Sequence, residues 1–187
     1  MILYSIPLLA LVVLLSVYYV ATVSPQAQVD FKVPIAIQIV QLFDNTPHIS
    51  TVLLKNVGVR GGVWASHQYD GDGLDGHYPL FGEAPPNGNN TYQLIHVRSR
   101  VVRTYTLLDF FNVWGEPLGP TNTLGYPVPP PSNDPKYTYA WYWDMCVQGV
   151  AGGPVLRGAW GNETLIPGKL IVLRYSDDGC GAGAANS

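Results

Sequence analysis

The amino-terminal 29 residues of this 187-residue chain carry no charged side chain, and Asp30 is the first to do so. Within them, residues 2–23 form a predominantly apolar run, about the length that crosses the hydrocarbon core of a bilayer as a helix. So apolar a segment does not belong on the surface of a soluble domain. The sequence therefore predicts two parts, a membrane anchor or signal segment over residues 1–29 and an extracytoplasmic β-rich domain over residues 30–187.

Three interpretations of residues 1–29 stay open. A retained transmembrane helix is favoured, because the apolar run is long and no Lys or Arg precedes it as in a secretory signal peptide. A cleaved signal is the second, since Ala21 and Ala27 supply small residues for a cleavage site. The third is a pilin-type helix that packs into a filament core, although prepilins carry a basic leader before that helix. All three predict a domain that is membrane-anchored or secreted.

The composition of the chain favours β structure. Charged residues make up 12%, about half of the usual share, whereas Gly (20), Pro (16) and Tyr (12) are abundant. Many turn formers and aromatic residues suit short strands better than long helices. We predict a mainly β domain, sandwich or barrel-like, of about seven short strands with one short helix.

The predicted helix covers residues 106–115. Its apolar side chains recur at the spacing of one helical face: Leu107, Phe110, Phe111 and Trp114. Thr106 and Asp109 form a capping-box-like pair at the start, and Gly115 is a typical stop. This helix is expected to pack on the sheet.

Alternation and apolar runs predict strands at residues 31–43, 49–57, 59–65, 92–105, 137–148, 155–160 and 169–175. The clearest is 137–148, which places six residues on one face: Tyr137, Tyr139, Trp141, Trp143, Met145 and Val147. The four aromatic residues of that face are predicted to form the core or an interface with another subunit. Residues 66–91 and 116–136 are rich in Gly, Pro and Asn and are predicted to be long connections.

The two cysteines and two sequons are consistent with an oxidising exterior. Cys146 and Cys180 belong to no CxxC pair, so a single disulfide is the simplest prediction for an exported domain. Asn89 and Asn162 begin Asn-x-Thr sequons in turn-like sequence, which makes both candidate glycosylation sites.

One group of residues has the chemistry of metal ligands: His67, Asp70, Asp72, Asp75, His77 and His96. Carboxylates that alternate with glycines can converge on calcium, and the histidines could hold copper or zinc. The alternative is an Asp/Gly turn that forms its own hydrogen bonds. The nearby Arg98, Arg100 and Arg103 are interpreted as solvated strand positions.

A short signature resembles a known group of proteins. Ile95–Ser99 and Arg103–Gly115 read IHVRS and RTYTLLDFFNVWG, which is similar to the IHVxS…YTLxxFFxVWG pattern of an uncharacterised group of exported archaeal and bacterial proteins. The resemblance covers roughly residues 35–118. In that group a PLHTHD stretch precedes the signature, whereas Pro79–Glu83 lacks those histidines here. The resemblance implies an exported location and a fold type rather than an activity.

The functional prediction rests on these features together. The sequence contains no GxSxG, HExxH, P-loop or CxxCH motif, so we do not expect an enzyme. A net charge of −3 without a basic tail argues against nucleic acid as a partner. We expect a structural or accessory subunit of a cell-envelope assembly, either a membrane complex or a surface filament. It would contact the bilayer through residues 2–23 and other subunits as a homo- or hetero-oligomer. The alternative is a module that binds Ca, Cu or Zn through the cluster at 67–96.

Overall fold

A long strand at the start of the domain organises the fold. In this computed structural model of the protein, the strands are β1 (Val29–Phe43), β2 (Thr46–Thr51), β3 (Leu80–Glu83), β4 (Gln93–Ser99), β5 (Asn122–Thr123), β6 (Tyr126–Pro127), β7 (Tyr142–Gln148), β8 (Leu156–Arg157) and β9 (Leu170–Ser176). Among the domain residues that the structure describes there is one α-helix, α1, at Leu107–Trp114. The structure describes residues 12–14, 26–43, 46–83, 92–128, 141–149 and 153–180.

Seven of these strands form one mixed sheet in the order β3-β4-β1-β9-β7-β8, and β2 also pairs with β1. The first half of β1 pairs antiparallel with β4 and the second half with β2. On its other edge, β1 runs parallel to β9 from Ile35 to Ile39. Strands β5 and β6 form a separate two-stranded ribbon. The prediction of a mainly β domain is confirmed, but seven of the nine described strands join in one open sheet rather than in a sandwich or barrel.

The front face of the sheet, the side that packs against α1, holds the main hydrophobic core. Strand β1 contributes Val33, Ile35, Ile37 and Ile39, and β4, β7 and β9 contribute further apolar residues. Helix α1 buries Leu107, Phe110, Phe111 and Val113 in the same core. The opposite side, the back face, has a small cluster of Ala36, Cys146 and Val172. Burial on both faces explains why β1 shows little polar alternation.

The predicted helix is confirmed, because its signals are local. The side chain of Thr106 accepts a hydrogen bond from the Asp109 amide, and the Asp109 carboxylate accepts one from the Thr106 amide. Gly115 ends the helix with a φ of 78°, a left-handed conformation that glycine adopts without strain. The capping box and the glycine stop together fix both ends of α1.

The strands predicted over residues 49–57 and 59–65 are mostly wrong. Strand β2 ends at Thr51, and the chain then makes a series of turns with single bridges such as Val57 to Val63. Asn56 and Gly58 have φ values of 63° and 70°, which extended strands do not allow. A side chain at Gly58 would also collide with the Leu80 carbonyl oxygen, so the close approach to β3 requires glycine there.

Other predicted strands are real but shorter. Of residues 92–105 only β4 is a strand, and of residues 155–160 only β8. Of the apolar run at residues 2–23, the structure describes only residues 12–14, which are helical. In the part of the chain that can be described, no helix has the length and hydrophobicity needed to cross a bilayer.

Candidate functional site

The six predicted metal ligands lie on the loop that precedes β3 and on β4, but they separate into distinct contacts. His67 and Asp70 form one of these, with 2.9 Å between the imidazole Nδ1 and the carboxylate Oδ2. The other oxygen of Asp70 accepts a hydrogen bond of 3.0 Å from the indole N–H of Trp64. Both oxygens of this carboxylate therefore already have partners within the loop.

Arginines hold the next part of the loop. The Arg100 guanidinium donates two hydrogen bonds, of 2.9 and 3.2 Å, to the carbonyl oxygen of Gly73. Arg103 lies 3.3 Å from Asp72 and stacks over the ring of Tyr69 at 4.7 Å from its centroid. These arginines are not the simply solvated strand positions that the sequence suggested. They fasten the Asp/Gly-rich loop to the end of β4.

A chain of charged groups then crosses the back face. Arg98 lies 2.9 Å from Asp75 and 3.5 Å from Asp30. Asp30 is 2.6 Å from the Nε2 atom of His96, whose Nδ1 atom lies 3.6 Å from Glu83. This network links the loop to β4, β1 and β3. Its carboxylates face arginine, lysine or imidazole groups rather than one another.

Two of the predicted ligands contact the same aromatic ring. The Phe81 ring centroid is 4.7 Å from that of His77 and 4.6 Å from that of His96. Both imidazoles therefore pack against this phenyl ring. Ring stacking, not ligation of a common ion, is the contact that this geometry provides.

The structure therefore does not gather the six residues into one metal site. Among the residues that can be described, one group of three donor atoms lies within 4.8 Å of one another, and it consists of Asp144, Cys146 and Cys180. The two sulfur atoms of that group are bonded to each other. A disulfide offers no thiolate to a metal ion, so this group is a structural cross-link.

The Cys146–Cys180 disulfide joins β7 to the turn that follows β9, as predicted, with 5.6 Å between the Cα atoms. Cys146 is only 2% exposed. The Asp144 carboxylate, two residues away and also buried, accepts a hydrogen bond of 3.2 Å from the Cys180 amide. The amide of Gly179 donates to the hydroxyl of Ser176. The turn after β9 is thus held by a covalent bond and by two hydrogen bonds.

The predicted aromatic face of β7 divides between the core and a surface cleft. Trp143 is 3% exposed and donates its indole N–H to the Tyr126 carbonyl oxygen, so it belongs to the core and cannot serve as an interface residue. Trp141 is half-buried and lies 5.7 Å from the ring of Tyr175. Tyr137 and Tyr139 lie outside the described residues.

Trp141 lines a shallow cleft of about 290 Å³. The lining residues come from β1, β6, β9 and the position just before β7: Ile39, Val40, Gln41, Tyr126, Trp141 and Tyr175. None of these side chains is charged at neutral pH. The cleft is therefore a neutral, largely aromatic surface at the end of the sheet where β1 leads into β2.

The surroundings of several tyrosines raise the pKa of their hydroxyl groups. Burial raises the pKa of Tyr78 and of Tyr105 above the ordinary tyrosine value, and hydrogen bonds with Ser66 and Ser99 respectively offset part of the increase. Burial also raises the pKa of Tyr69, with the Asp109 carboxylate adding to the effect. Burial alone raises the pKa of Tyr175. These rings are structural contacts, since their chemistry is suppressed rather than activated.

Of the two sequons, only the second can be placed. Asn162 is exposed at the end of a short 3-10 turn, Trp160–Asn162. The following Glu163 is buried and lies 2.6 Å from the Lys169 ammonium group. Asn89 lies outside the described part of the chain.

Known protein families, curated proteins and solved structures give no match to this chain. The buried carboxylate of Asp144 was not among the sequence-predicted site residues. Asp144 could have been found from its position two residues from Cys146, because alternate residues of a strand share a face. The arginine contacts gave no such signal, since they depend on how the loop folds back onto β4.

Proposed function

We propose that this protein is a non-catalytic structural or accessory subunit of a cell-envelope assembly. A hydrophobic helix formed by residues 2–23 would hold it on the extracytoplasmic side of the membrane. The observation that carries this proposal is the Cys146–Cys180 disulfide within the β domain that follows the apolar run. A stable structural disulfide is typical of an oxidising compartment and rare in the cytosol.

The way in which the apolar run leads into the sheet supports a tethered arrangement. Only residues 24–28 separate it from β1, and the amide of Gln28 already donates a hydrogen bond to the Ser99 carbonyl oxygen. A fully extended linker of this length reaches about 18 Å. A retained helix would therefore keep the domain beside the bilayer.

The opposite end of the sheet offers surfaces for partner subunits. The pairing of β1 with β9 ends at Ile39 and Tyr175, whereas the β1–β2 hairpin continues beyond that point. Ile49 on this hairpin is 56% exposed. The uncharged cleft around Trp141 lies at the same end. Exposed apolar and aromatic groups placed together are typical of protein interfaces.

The first test concerns the tether. We expect the native protein to stay in the membrane fraction after alkaline carbonate extraction. Amino-terminal sequencing of the mature protein should then find the apolar run retained. Release of the protein into the soluble fraction would overturn the anchored arrangement, and a new amino terminus after Ala21 or Ala27 would identify a cleaved signal instead.

The second test concerns assembly. The full chain, purified in mild detergent, is expected to have a native mass larger than that of one subunit. An Ile49→Glu variant should reduce this mass, because a charge on the hairpin opposes burial at an interface. Leu156→Glu, at an exposed position on β8, is the matched control and should leave the assembly intact. A monomeric parent protein would contradict the proposal.

A further inference from the structure

The end of the sheet where β1 begins carries a small apolar surface. Val29 pairs with Ser99, the last residue of β4, so the chain that arrives from the apolar run enters the domain beside the loop that follows β4. In that loop Val101 is 37% exposed and Val102 is 74% exposed. The exposure of Val102 is the highest among the large hydrophobic residues that the structure describes.

This exposure is built into the fold. The Ser99 hydroxyl accepts a hydrogen bond of 3.0 Å from the Val101 amide and donates one of 2.9 Å to the Val101 carbonyl oxygen. The buried hydroxyl of Tyr105 donates to the same Ser99 oxygen. The guanidinium of Arg100 is fixed on Gly73. These contacts fix the backbone on both sides of the valines, so the loop presents them outward.

A third apolar side chain lies beside the loop. The amide of Leu165 donates to the Tyr105 carbonyl oxygen, and Thr106 bridges to Thr164. The next residue, Ile166, is 44% exposed. We call Val101, Val102 and Ile166 the tether-end patch. Two exposed residues with basic side chains, Arg100 and Arg103, flank its valines.

The chain outside the described domain indicates what covers this patch. The apolar run ends at Val23, and its linker to Gln28 spans at most about 18 Å. The headgroup layer on each side of a bilayer is only roughly 5–8 Å thick. Exposed apolar side chains also suit the boundary between acyl chains and headgroups.

We propose that the tether-end patch rests on the surface of the bilayer in which residues 2–23 lie. This inference depends on the proposed function, because it assumes a retained anchor. The patch would set the orientation of the domain, with β1 rising from the membrane. Strand β1 has 15 residues and extends about 45–50 Å, so the β1–β2 hairpin and the aromatic cleft would face away from the lipid.

Tryptophan quenching by brominated lipid tests this contact. The full chain is reconstituted in vesicles of phosphatidylcholine brominated near the top of the acyl chain, either as Val102→Trp or as Leu156→Trp. Leu156 is the matched control, because it is 62% exposed but lies on β8. The pairing of β8, β7, β9 and β1 places it level with a residue of β1 that is six positions after the first residue of that strand. Each emission is compared with that of the parent, which has five tryptophans.

The added tryptophan of Val102→Trp is expected to lose most of its emission, whereas that of Leu156→Trp should keep it. Both positions are exposed, so both variants should fold, and an intact disulfide verifies this. Equal quenching of the two variants, in vesicles that retain the protein after carbonate washing, would overturn the contact and leave the anchor in place. Loss of the parent protein during that washing would overturn the anchor and the contact together.

Discussion

The two faces of the sheet are stabilised in different ways. On the front face, large apolar side chains of five strands and of α1 pack together, and most of them are completely buried. On the back face, the apolar cluster has three buried members among the described residues, and a disulfide, a buried carboxylate and a charged network provide other contacts. The front face is therefore stabilised by the burial of apolar surface area, and the back face by a few specific bonds. Substitutions on the two faces should separate these contributions.

The largest effect is expected on the front face. Phe110→Ala removes a fully buried ring of α1 and should lower the free energy of unfolding by about 3–5 kcal/mol, since a cavity replaces its contacts. Leu108→Ala, on the same helix but 40% exposed, should change it by less than about 0.5 kcal/mol. Urea unfolding of the parent and both variants measures the difference. Alanine has the highest helix propensity, so neither substitution weakens the helix itself. Equal losses would therefore contradict the assignment of front-face stability to buried contacts.

The disulfide should be the strongest single contribution on the back face. The double variant Cys146→Ala and Cys180→Ala opens a loop with a sequence separation of 34 residues. In the chain-entropy model this loss costs about 3–4 kcal/mol. Urea unfolding and cleavage by thermolysin should both report it, with new cleavage after β9. An unchanged unfolding free energy would mean that the turn after β9 holds without its covalent bond.

The buried carboxylate of Asp144 should make the next largest contribution to the free energy of unfolding. Asp144→Ala leaves the Cys180 amide without its acceptor, which costs about 1–3 kcal/mol when the donor is buried. Asp144→Asn keeps an acceptor oxygen in the same place and should recover much of this loss. Amide exchange at Cys180, followed by NMR, should become faster in the alanine variant and stay close to the parent in the asparagine variant. Identical exchange in both variants would exclude this hydrogen bond as a stabilising contact.

The exposed part of the charged network should contribute little to the free energy of unfolding. The Lys32 ammonium lies 2.7 Å from the Glu83 carboxylate, but the side chains are 44% and 40% exposed. Glu83→Gln is expected to change the unfolding free energy by at most about 1 kcal/mol, because water screens such pairs. The difference should shrink further at high salt. A loss that persists in high salt would place Glu83 among the specific back-face contacts.

The stability of the front face should fall at alkaline pH and stay constant near neutral pH. Burial raises the pKa of Tyr78 and Tyr105, so near pH 10 the unfolded chain releases these protons before the folded chain does. The free energy of unfolding should therefore fall as the pH rises above about 10. Urea unfolding across that range measures the slope, and Tyr78→Phe should reduce it. A slope that this variant leaves unchanged would contradict the assignment.

Local signals in the sequence predicted local structure well. Helix α1 has a capping box and a glycine stop within ten residues, so neighbours along the chain decide its ends. The strands that contain Ile37, Met145 and Leu173 could be predicted because apolar residues are closely spaced along them. The disulfide prediction came from the presence of only two cysteines in a domain expected to be exported.

Contacts between distant segments could not be predicted in the same way. The positive φ angle of Asn56 depends on how its loop meets β3. The sequence does not show this contact, so the local pattern predicted a strand there. Asp72 and Asp75 resembled metal ligands because the sequence does not show that Arg103 and Arg98 reach them. For Trp143 the sequence left both the core and an interface open, because alternation gives the face of a strand, but not what covers that face.

The parallel pairing of β1 with β9 places the first described strand of the domain beside the last one, with Ile35 opposite Ile171. A ribosome that has not yet translated β9 has therefore not supplied the strand that completes the centre of the sheet. Completion of the sheet must wait until β9 has been made, because contacts between distant segments form only after the intervening chain is available. Cys180 lies just beyond β9, so oxidation can secure the sheet as soon as its final strand is in place.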